Sequence, residues 1–554
     1  MTLRKTLLTS IALSTVFSVA GCGNDNDHHG NNPATGGAGG RNTNEGGTPA
    51  TGGRNTVAGG ASTMAGAGGE SMMGTGGMAT TMAGAGGESM MGTGGMATTV
   101  AGAGGKPGMG GTAGQAGASS TAGASGQAGA GATAFRLHIE NVAPFDHLKS
   151  GTFATPVDAT DPGPLAPGDA YEFTFTAGPH HRLSFATMFG QSNDWFFAPE
   201  EGSLALYDGD TPISGDITAQ VALWDAGTEV DEEPAVGPHT GPNQSSSTDG
   251  PGAADPDDTV RLVPDPAPLT AGGTFDRPSV ADMIQVTVTS DAASREFTVR
   301  IENVAEDGVT LQTSDGGKPV RVSPGVWSVG DDDALIFDPG SADRGLGLEE
   351  IAEGGDVSVL SASLEPTAGV ATPLSPGLIV IHDDGEPLFT EGSDDRGLGL
   401  ELLAETGNPG DLADSFMDEL PAGATSYTVF NTPDGATDPG PIHAGGAYDV
   451  DFEARPGQRL SFATMYGASN DWIFAFDADG VALFDTDGMP LQGDLTSAVS
   501  IWDVGTELNE EPGVGAHIGG PEGPIDTDSS VRIVNMSEYP VDADQHIEVT
   551  LTTR

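Results

Sequence analysis

Beyond residue 134 the chain alternates apolar and polar side chains in short runs, the period of half-buried strands. Phe135-Arg-Leu-His-Ile-Glu-Asn-Val142 places Leu137, Ile139 and Asn141 on one face and His138 and Glu140 on the other. The same FxxxIENV pattern returns at Phe297–Val304. Further strands are predicted over 171–177, 181–189, 203–208, 218–224, 259–263 and 283–289, with closing strands over 529–535 and 546–552. Clusters of Gly, Pro and Asp separate them, and helical periodicity is nearly absent. Such spacing predicts an all-β fold of two antiparallel β-sandwiches. The clearest helical stretch is Leu398, Leu402 and Ala404-Glu405, stopped by Gly407.

Internal repetition sets the expected domains. ATDPGP at 159–164 returns at 436–441, and LSFATM at 183–188 returns at 460–465, both shifted by 277. The WDxGTE element is shifted by 278, so one residue was inserted between copies. A constant offset over such a span is a duplication. Ser323-Pro-Gly325 with Asp343-Arg-Gly-Leu-Gly-Leu-Glu349 recurs as Ser375-Pro-Gly377 with Asp395-Arg-Gly-Leu-Gly-Leu-Glu401. In chain order both copies of this segment fall in the second repeat. The expected division is therefore a shortened first sandwich over 135–292 and a second over 293–554 that carries the SPG/GLGLE segment twice.

The N-terminal part has a different character. Met1–Gly21 reads as a secretory signal, basic at Arg4 and Lys5 and apolar over Leu7–Ala20, too short for a comfortable transmembrane helix. It ends in Val19-Ala-Gly-Cys22, a lipobox-like sequence with the chain's single cysteine at the lipidated position. Gly23 follows, not the Asp that retains lipoproteins in the inner membrane, so a lipid anchor in the outer membrane is expected. Residues 22–134 are Gly-rich, with the 18-residue repeat TMAGAGGESMMGTGGMAT at 63–80 and 81–98. With large aliphatic and aromatic residues nearly absent, no core offsets backbone entropy. A disordered tether is expected, spanning roughly 60 Å at about 5–6 Å × √n.

Charge narrows the partners. The formal net charge is −59, all of it carried by residues 135–554, because residues 1–134 hold five acidic and five basic side chains. Nucleic acid is excluded as a natural partner, since phosphate neutralisation needs clustered Lys and Arg. An acidic surface collects cations, and it also suits a passive coat adapted to salt. One cysteine allows no intrachain disulfide, so a bound metal is a candidate staple.

The candidate chemistry lies in a two-part motif kept in both repeats. Ser192-Asn-Asp-Trp195 is followed by Trp224-Asp-Ala-Gly-Thr-Glu229, and Ser469-Asn-Asp-Trp472 by Trp502-Asp-Val-Gly-Thr-Glu507. Asp194, Asp225 and Glu229, then Asp471, Asp503 and Glu507, fall at strand-to-loop junctions. Three carboxylates gathered at a sandwich end suit a hard cation with oxygen ligands, above all calcium. The competing reading is that acidic residues favour turns. Asp477-Ala-Asp-Gly480 and Asp485-Thr-Asp-Gly488 read as tight turns, because neither completes a calcium-loop ladder. His180-His181 reads as an exposed turn. Pro238–Pro268 reads as a long polar loop whose composition favours disorder over a cover for the acidic motif.

SNDWFF, LWDAGTE and SPGLIVIHDDGEPLF…GLGLELLAETG resemble the spondin N-terminal domain of F-spondin and mindin. The resemblance covers most of the chain after about residue 296 and, in shortened form, 135–290. It implies an extracellular, C2-like β-sandwich that binds calcium and acts in matrix adhesion. It also implies that the six acidic residues above are the metal ligands, with Glu229 and Glu507 standing where the family usually has Asp. No nucleophile elbow, P-loop, HExxH or dinucleotide fingerprint occurs, so no enzyme is expected. The expected function is a lipid-anchored, calcium-binding surface protein that mediates adhesion to an unidentified protein or glycan. A passive acidic coat and a carbohydrate-active enzyme remain as alternatives.

Overall fold

The computed structural model describes residues 131–244, 252–520 and 522–554. The signal sequence, Cys22 and nearly all of the predicted tether lie outside the described residues.

In chain order the main elements are β1 (Thr133–Asn141), β2 (Lys149–Phe153), β3 (Ala170–Thr176), β4 (Arg182–Phe189), β5 (Trp195–Pro199), β6 (Val221–Asp225) and β7 (Arg261–Leu262). Then come β8 (Ile284–Asp291), β9 (Glu296–Asn303), β10 (Val322–Gly330), α1 (Leu348–Gly354) and α2 (Ser358–Leu364). The rest are β11 (Leu374–His382), α3 (Leu400–Thr406), α4 (Gly410–Asp418), β12 (Ala424–Phe430), β13 (Ala447–Ala454), β14 (Arg459–Tyr466), β15 (Trp472–Phe476), β16 (Val499–Asp503), β17 (Arg532–Ile533) and β18 (Ile547–Thr553). The fold is all-β, with antiparallel sheets throughout, as the alternation predicts.

Two sheets share each core. In the first unit, the sheet β7-β6-β5-β4-β10-β2 and the sheet β3-β9-β8-Gly215–Asp216 contribute to one cluster that includes Phe185, Trp195, Phe175, Val286 and Ile301. In the second, β12-β11-β14-β15-β16-β17 and β13-β1-β18-Gly493–Asp494 do the same around Phe462, Trp472, Tyr448, Leu137 and Val549. The larger sheet of each unit is buried on its other face as well. Leu348, Ile351 and Leu360 of α1 and α2 cover Ala186, Phe196 and Trp224. Leu400, Leu403 and Leu412 of α3 and α4 cover Ala463, Ile473 and Trp502. That is why WFFAP and WIFAF are continuous buried runs, whereas β1 and β9 alternate.

The connectivity departs from the expected division at 292/293. β1 pairs with β13 and β18, so the first strand of the folded region belongs to the second unit. β9, its sequence twin, pairs with β3 and β8 in the first. β10, which carries the first SPG, pairs with β4 and β2. Each unit therefore has one SPG strand and one helix pair. The first unit is not shortened, and the second does not hold the segment twice. The first unit, from β2 to α2, is inserted between the first two strands of the second. A buried asparagine clips each twin strand in place. Asn141 Nδ2 donates to the carbonyls of Thr372 (2.8 Å) and Ile442 (3.2 Å), and Asn303 Nδ2 to those of Val320 (3.0 Å) and Leu165 (3.3 Å). Units joined in chain order would leave these donors to the opposite partners. The two units also touch, since Lys149 pairs with Glu511 and Thr176 Oγ1 donates to the same carboxylate at 2.9 Å.

Two local expectations change. The helix near residue 400 starts after Gly399, which has φ of 102°, so Leu400 and Leu403 face the core while Leu398 stays exposed. His181 is buried rather than exposed, and its Nδ1 accepts the Gly178 N–H at 2.7 Å. The Asp477 and Asp485 motifs are turns, as predicted, closed by Gly480 N–H to Asp477 O (2.7 Å) and by Gly488 N–H to Asp485 O (3.0 Å).

The strand exchange is testable. Ile139→Ala removes a fully buried side chain from β1 and should cost about 2–5 kcal/mol. Hydrogen exchange should rise in β13 and β18 and not in β3 and β8. Ile301→Ala in β9 should show the reverse pattern.

Candidate metal centre

The first centre is assembled from a turn, a strand end and a loop. At the end of β4 the Ser192 hydroxyl donates to the Phe189 carbonyl (2.7 Å) and accepts the Trp195 N–H (3.0 Å). This turn sets Asp194, fully buried, at the entrance to β5. Asn193 straps the following loop through Nδ2 to the Val230 carbonyl at 3.1 Å. Trp195 pairs with Asp225 in the ladder, so Asp194 lies beside the end of β6. Asp225 then shapes its own turn, accepting the Gly227 N–H on Oδ1 at 2.7 Å. Gly227 has φ of +70°, and a Cβ there would meet the Thr259 carbonyl at 2.6 Å, so the motif requires glycine. The turn aims the Glu229 N–H at Asp194 Oδ2 (2.9 Å).

Asp194 and Asp225 are brought together as the sequence predicts, but the third member is Asp231. One oxygen of each lies within 4.8 Å of the others, the one group of three such side chains among the described residues. Asp231 also accepts the Trp195 indole N–H at 2.7 Å. Glu229 stands outside this group. Its Oε1 accepts the Gly252 N–H, which turns the side chain toward the segment after residue 251. That segment is part of the long loop for which composition favoured disorder. Its described residues instead pack on the centre, where Arg261 pairs with both Asp225 and Asp255.

The second centre repeats the plan with one change. Ser469 forms the same turn, with its hydroxyl accepting the Trp472 N–H at 3.0 Å. Asp471 Oδ2 accepts the N–H groups of Thr506 (2.9 Å) and Glu507 (3.0 Å), and Asp503 Oδ1 accepts the Gly505 N–H at 2.7 Å. Arg532 pairs with Asp503 at 2.6 Å and with Asp526. Glu507, like Glu229, gives Oε1 to a loop glycine, here Gly523. Asn509 occupies the place of Asp231. Its Oδ1 takes the Trp472 indole N–H and its Nδ2 donates to Asp503 Oδ2 at 2.6 Å. The second centre thus carries one negative charge fewer.

Burial dominates the electrostatics. Desolvation, aided by Asp225, holds Asp194 well above the usual carboxylate range. Desolvation, aided by Asp231, lifts Asp225 to about 7, and desolvation with Asp503 nearby lifts Asp471 to about 7. Four buried carboxylate oxygens have no hydrogen-bond partner: Asp194 Oδ1, Glu229 Oε2, Asp471 Oδ1 and Glu507 Oε2. The same two positions are left unpaired in each unit. Unpaired, mutually repelling carboxylate oxygens are what a hard divalent cation satisfies, and the Asp194–Asp225–Asp231 cluster could hold a metal ion.

Sequence reasoning missed Asp231 because it lies beyond the repeated motif and becomes Asn in the second copy. The available signal was Trp195, whose buried indole N–H needs an acceptor. No protein-family model matches the chain, and no curated protein matches it. No helix among the described residues is long and apolar enough to cross a membrane.

The raised carboxylates bind protons in the folded chain that they release on unfolding. In chelator, the stability this contributes is complete below about pH 4 and is lost as pH rises toward 7. Asp471→Asn removes that loss while keeping an acceptor for the Thr506 and Glu507 N–H groups. Melting in chelator should show the variant gaining on the wild type between pH 4 and 7, by roughly 1–4 kcal/mol at the top of the range.

Proposed function

We propose that the protein is a divalent-cation-binding module of the spondin N-terminal type, with calcium as the ion, displayed on the cell surface by a lipid on Cys22 and a Gly-rich tether. In this reading the ion joins the SNDW turn to the WDxGTE loop in each unit and fixes the loops for binding to a protein or glycan outside the cell. The outer membrane is the proposed anchor, and the activity is binding, not catalysis. The observation that carries the reading is the buried Asp194–Asp225–Asp231 cluster with an unpaired Asp194 oxygen. Hard, anionic oxygen donors favour calcium over softer metals. The motif resemblance and the export signal support the adhesive role and the location.

One observation favours a second reading, in which the centres are purely structural. Arg261 and Arg532 already bring a positive charge onto Asp225 and Asp503. A guanidinium offsets only one charge, however, and leaves the Asp194 and Asp471 oxygens unpaired.

The two readings separate in a melting experiment on the purified protein. Calcium at about one hundred times its dissociation constant should add about 2.7 kcal/mol per ion, removable by chelator. Asp194→Ala with Asp471→Ala should abolish that gain. Arg261→Gln should strengthen calcium binding if the ion competes with the guanidinium. A wild type whose melting ignores calcium would leave only the structural reading.

A further inference from the structure

Each unit also brings an acidic residue from a helix toward its WDxGTE loop. Glu353 sits on α1 and Glu405 on α3, at matching places in the two units. Glu353 holds the corresponding place in the first unit, near enough for the Glu229 charge to act on it. Glu405 Oε1 accepts the Thr506 hydroxyl at 3.1 Å, and the same hydroxyl lies 3.3 Å from Asp471 Oδ2. One hydroxyl proton thus serves two carboxylates. Glu507, next in sequence, places its backbone N–H on that Asp471 oxygen.

The helix carboxylates are not placed by accident of a charged surface. α1 and α3 are pinned to the sheets by Leu348, Ile351, Leu400 and Leu403, all fully or nearly fully buried. Each helix is capped by a glycine of positive φ, Gly355 or Gly407, directly after the turn that carries the acidic residue. Glu229 is 2% exposed and Glu507 4%, and each has an oxygen without a hydrogen-bond partner. A buried carboxylate oxygen left unpaired is unfavourable by itself, and it is so in both copies.

We propose that Glu353 with Glu229, and Glu405 with Glu507, form a helix-side pair of cation-ligating carboxylates in each unit, in addition to the aspartates at the strand end. The proposal rests on the cation-binding reading above and names residues of the same acidic centre that the repeated motif does not contain. A calcium ion held there ties the helix pair to the WDxGTE loop, so binding stiffens the cover of the sheet as well as its end.

The test uses the full chain with Glu353→Gln and Glu405→Gln combined, followed by titration calorimetry with calcium and by melting in chelator and in calcium. The double variant should melt higher than wild type in chelator, because a repulsion is gone. It should lose much of the calcium-induced rise and bind calcium roughly tenfold more weakly or with fewer ions per chain. Glu353→Asp with Glu405→Asp, which keeps the charge and shortens the reach, should fall between. A double Gln variant with wild-type calcium affinity and stoichiometry overturns the proposal while leaving calcium binding by the aspartates intact. Equal destabilisation with and without calcium also overturns it, since that marks a packing role. A wild type that binds no calcium overturns this proposal together with the cation-binding reading on which it rests.

Discussion

The structure depends on keeping carboxylates out of water at the end of a sheet. Asp194, Asp225, Asp471 and Asp503 are each almost wholly buried, where a charge is costly unless paired. The chain meets this demand in parts. Backbone N–H groups serve one oxygen of each aspartate, through turns that Gly227 and Gly505 make possible. An arginine on the neighbouring edge strand, Arg261 of β7 or Arg532 of β17, serves another oxygen of Asp225 and Asp503. What remains unserved is the other oxygen of Asp194 and of Asp471. Every residue of the SNDW motif is spent on this arrangement. The serine makes the turn, the asparagine straps the loop, the aspartate enters the centre, and the tryptophan fills the core while its indole N–H engages Asp231 or Asn509.

The insertion of one unit within the other follows from a twin-strand ambiguity. β1 and β9 carry the same apolar face, ending in an asparagine that needs carbonyl partners at one sheet edge. Nothing in either strand's own pattern says which core it joins. β8 and β9 are joined by a short turn and pair over their whole length, so β9 fills the first unit locally. β1 is then left for the vacancy beside β18. Local pairing closes a shorter loop than the chain-order arrangement and is favoured on entropy. A consequence is that any pull on the segment before residue 133 falls on a central strand of the second unit, held on both sides.

This also marks how far the sequence could be read. Strand positions were legible, because alternation and turn residues are local: predicted 171–177, 181–189 and 283–289 match β3, β4 and β8 to within two residues at either end. Partner choice was not legible, because twin strands look alike. Asp194 with Asp225, and Asp471 with Asp503, could be placed at one sheet end, since the first of each precedes a strand whose neighbour ends at the second. The third member could not. In a turn, spacing does not fix side-chain direction, and the Gly252 and Gly523 N–H groups that draw Glu229 and Glu507 aside lie on segments with no pattern of their own. Glu405 entered the reading only as part of a helical pattern, and Glu353 did not enter it.

The two centres differ at one position, and that difference sets their charge. Asp231 adds a third carboxylate to Asp194 and Asp225, and its nearness raises Asp225. Asn509 does the opposite. Its amide donates to Asp503, replacing a repulsion with a hydrogen bond and lowering the proton affinity of that carboxylate. The indole of the adjacent tryptophan is satisfied in both cases, so the core is indifferent to the exchange. Ligand charge governs affinity for a hard cation, while like charges govern the strain of its absence. The first centre, with the extra charge, therefore holds the greater repulsion among buried carboxylates. The second, relieved by its asparagine, is more stable on its own. The duplicated units thus carry electrostatically unequal centres, one with three clustered carboxylates and one in which an amide replaces the third.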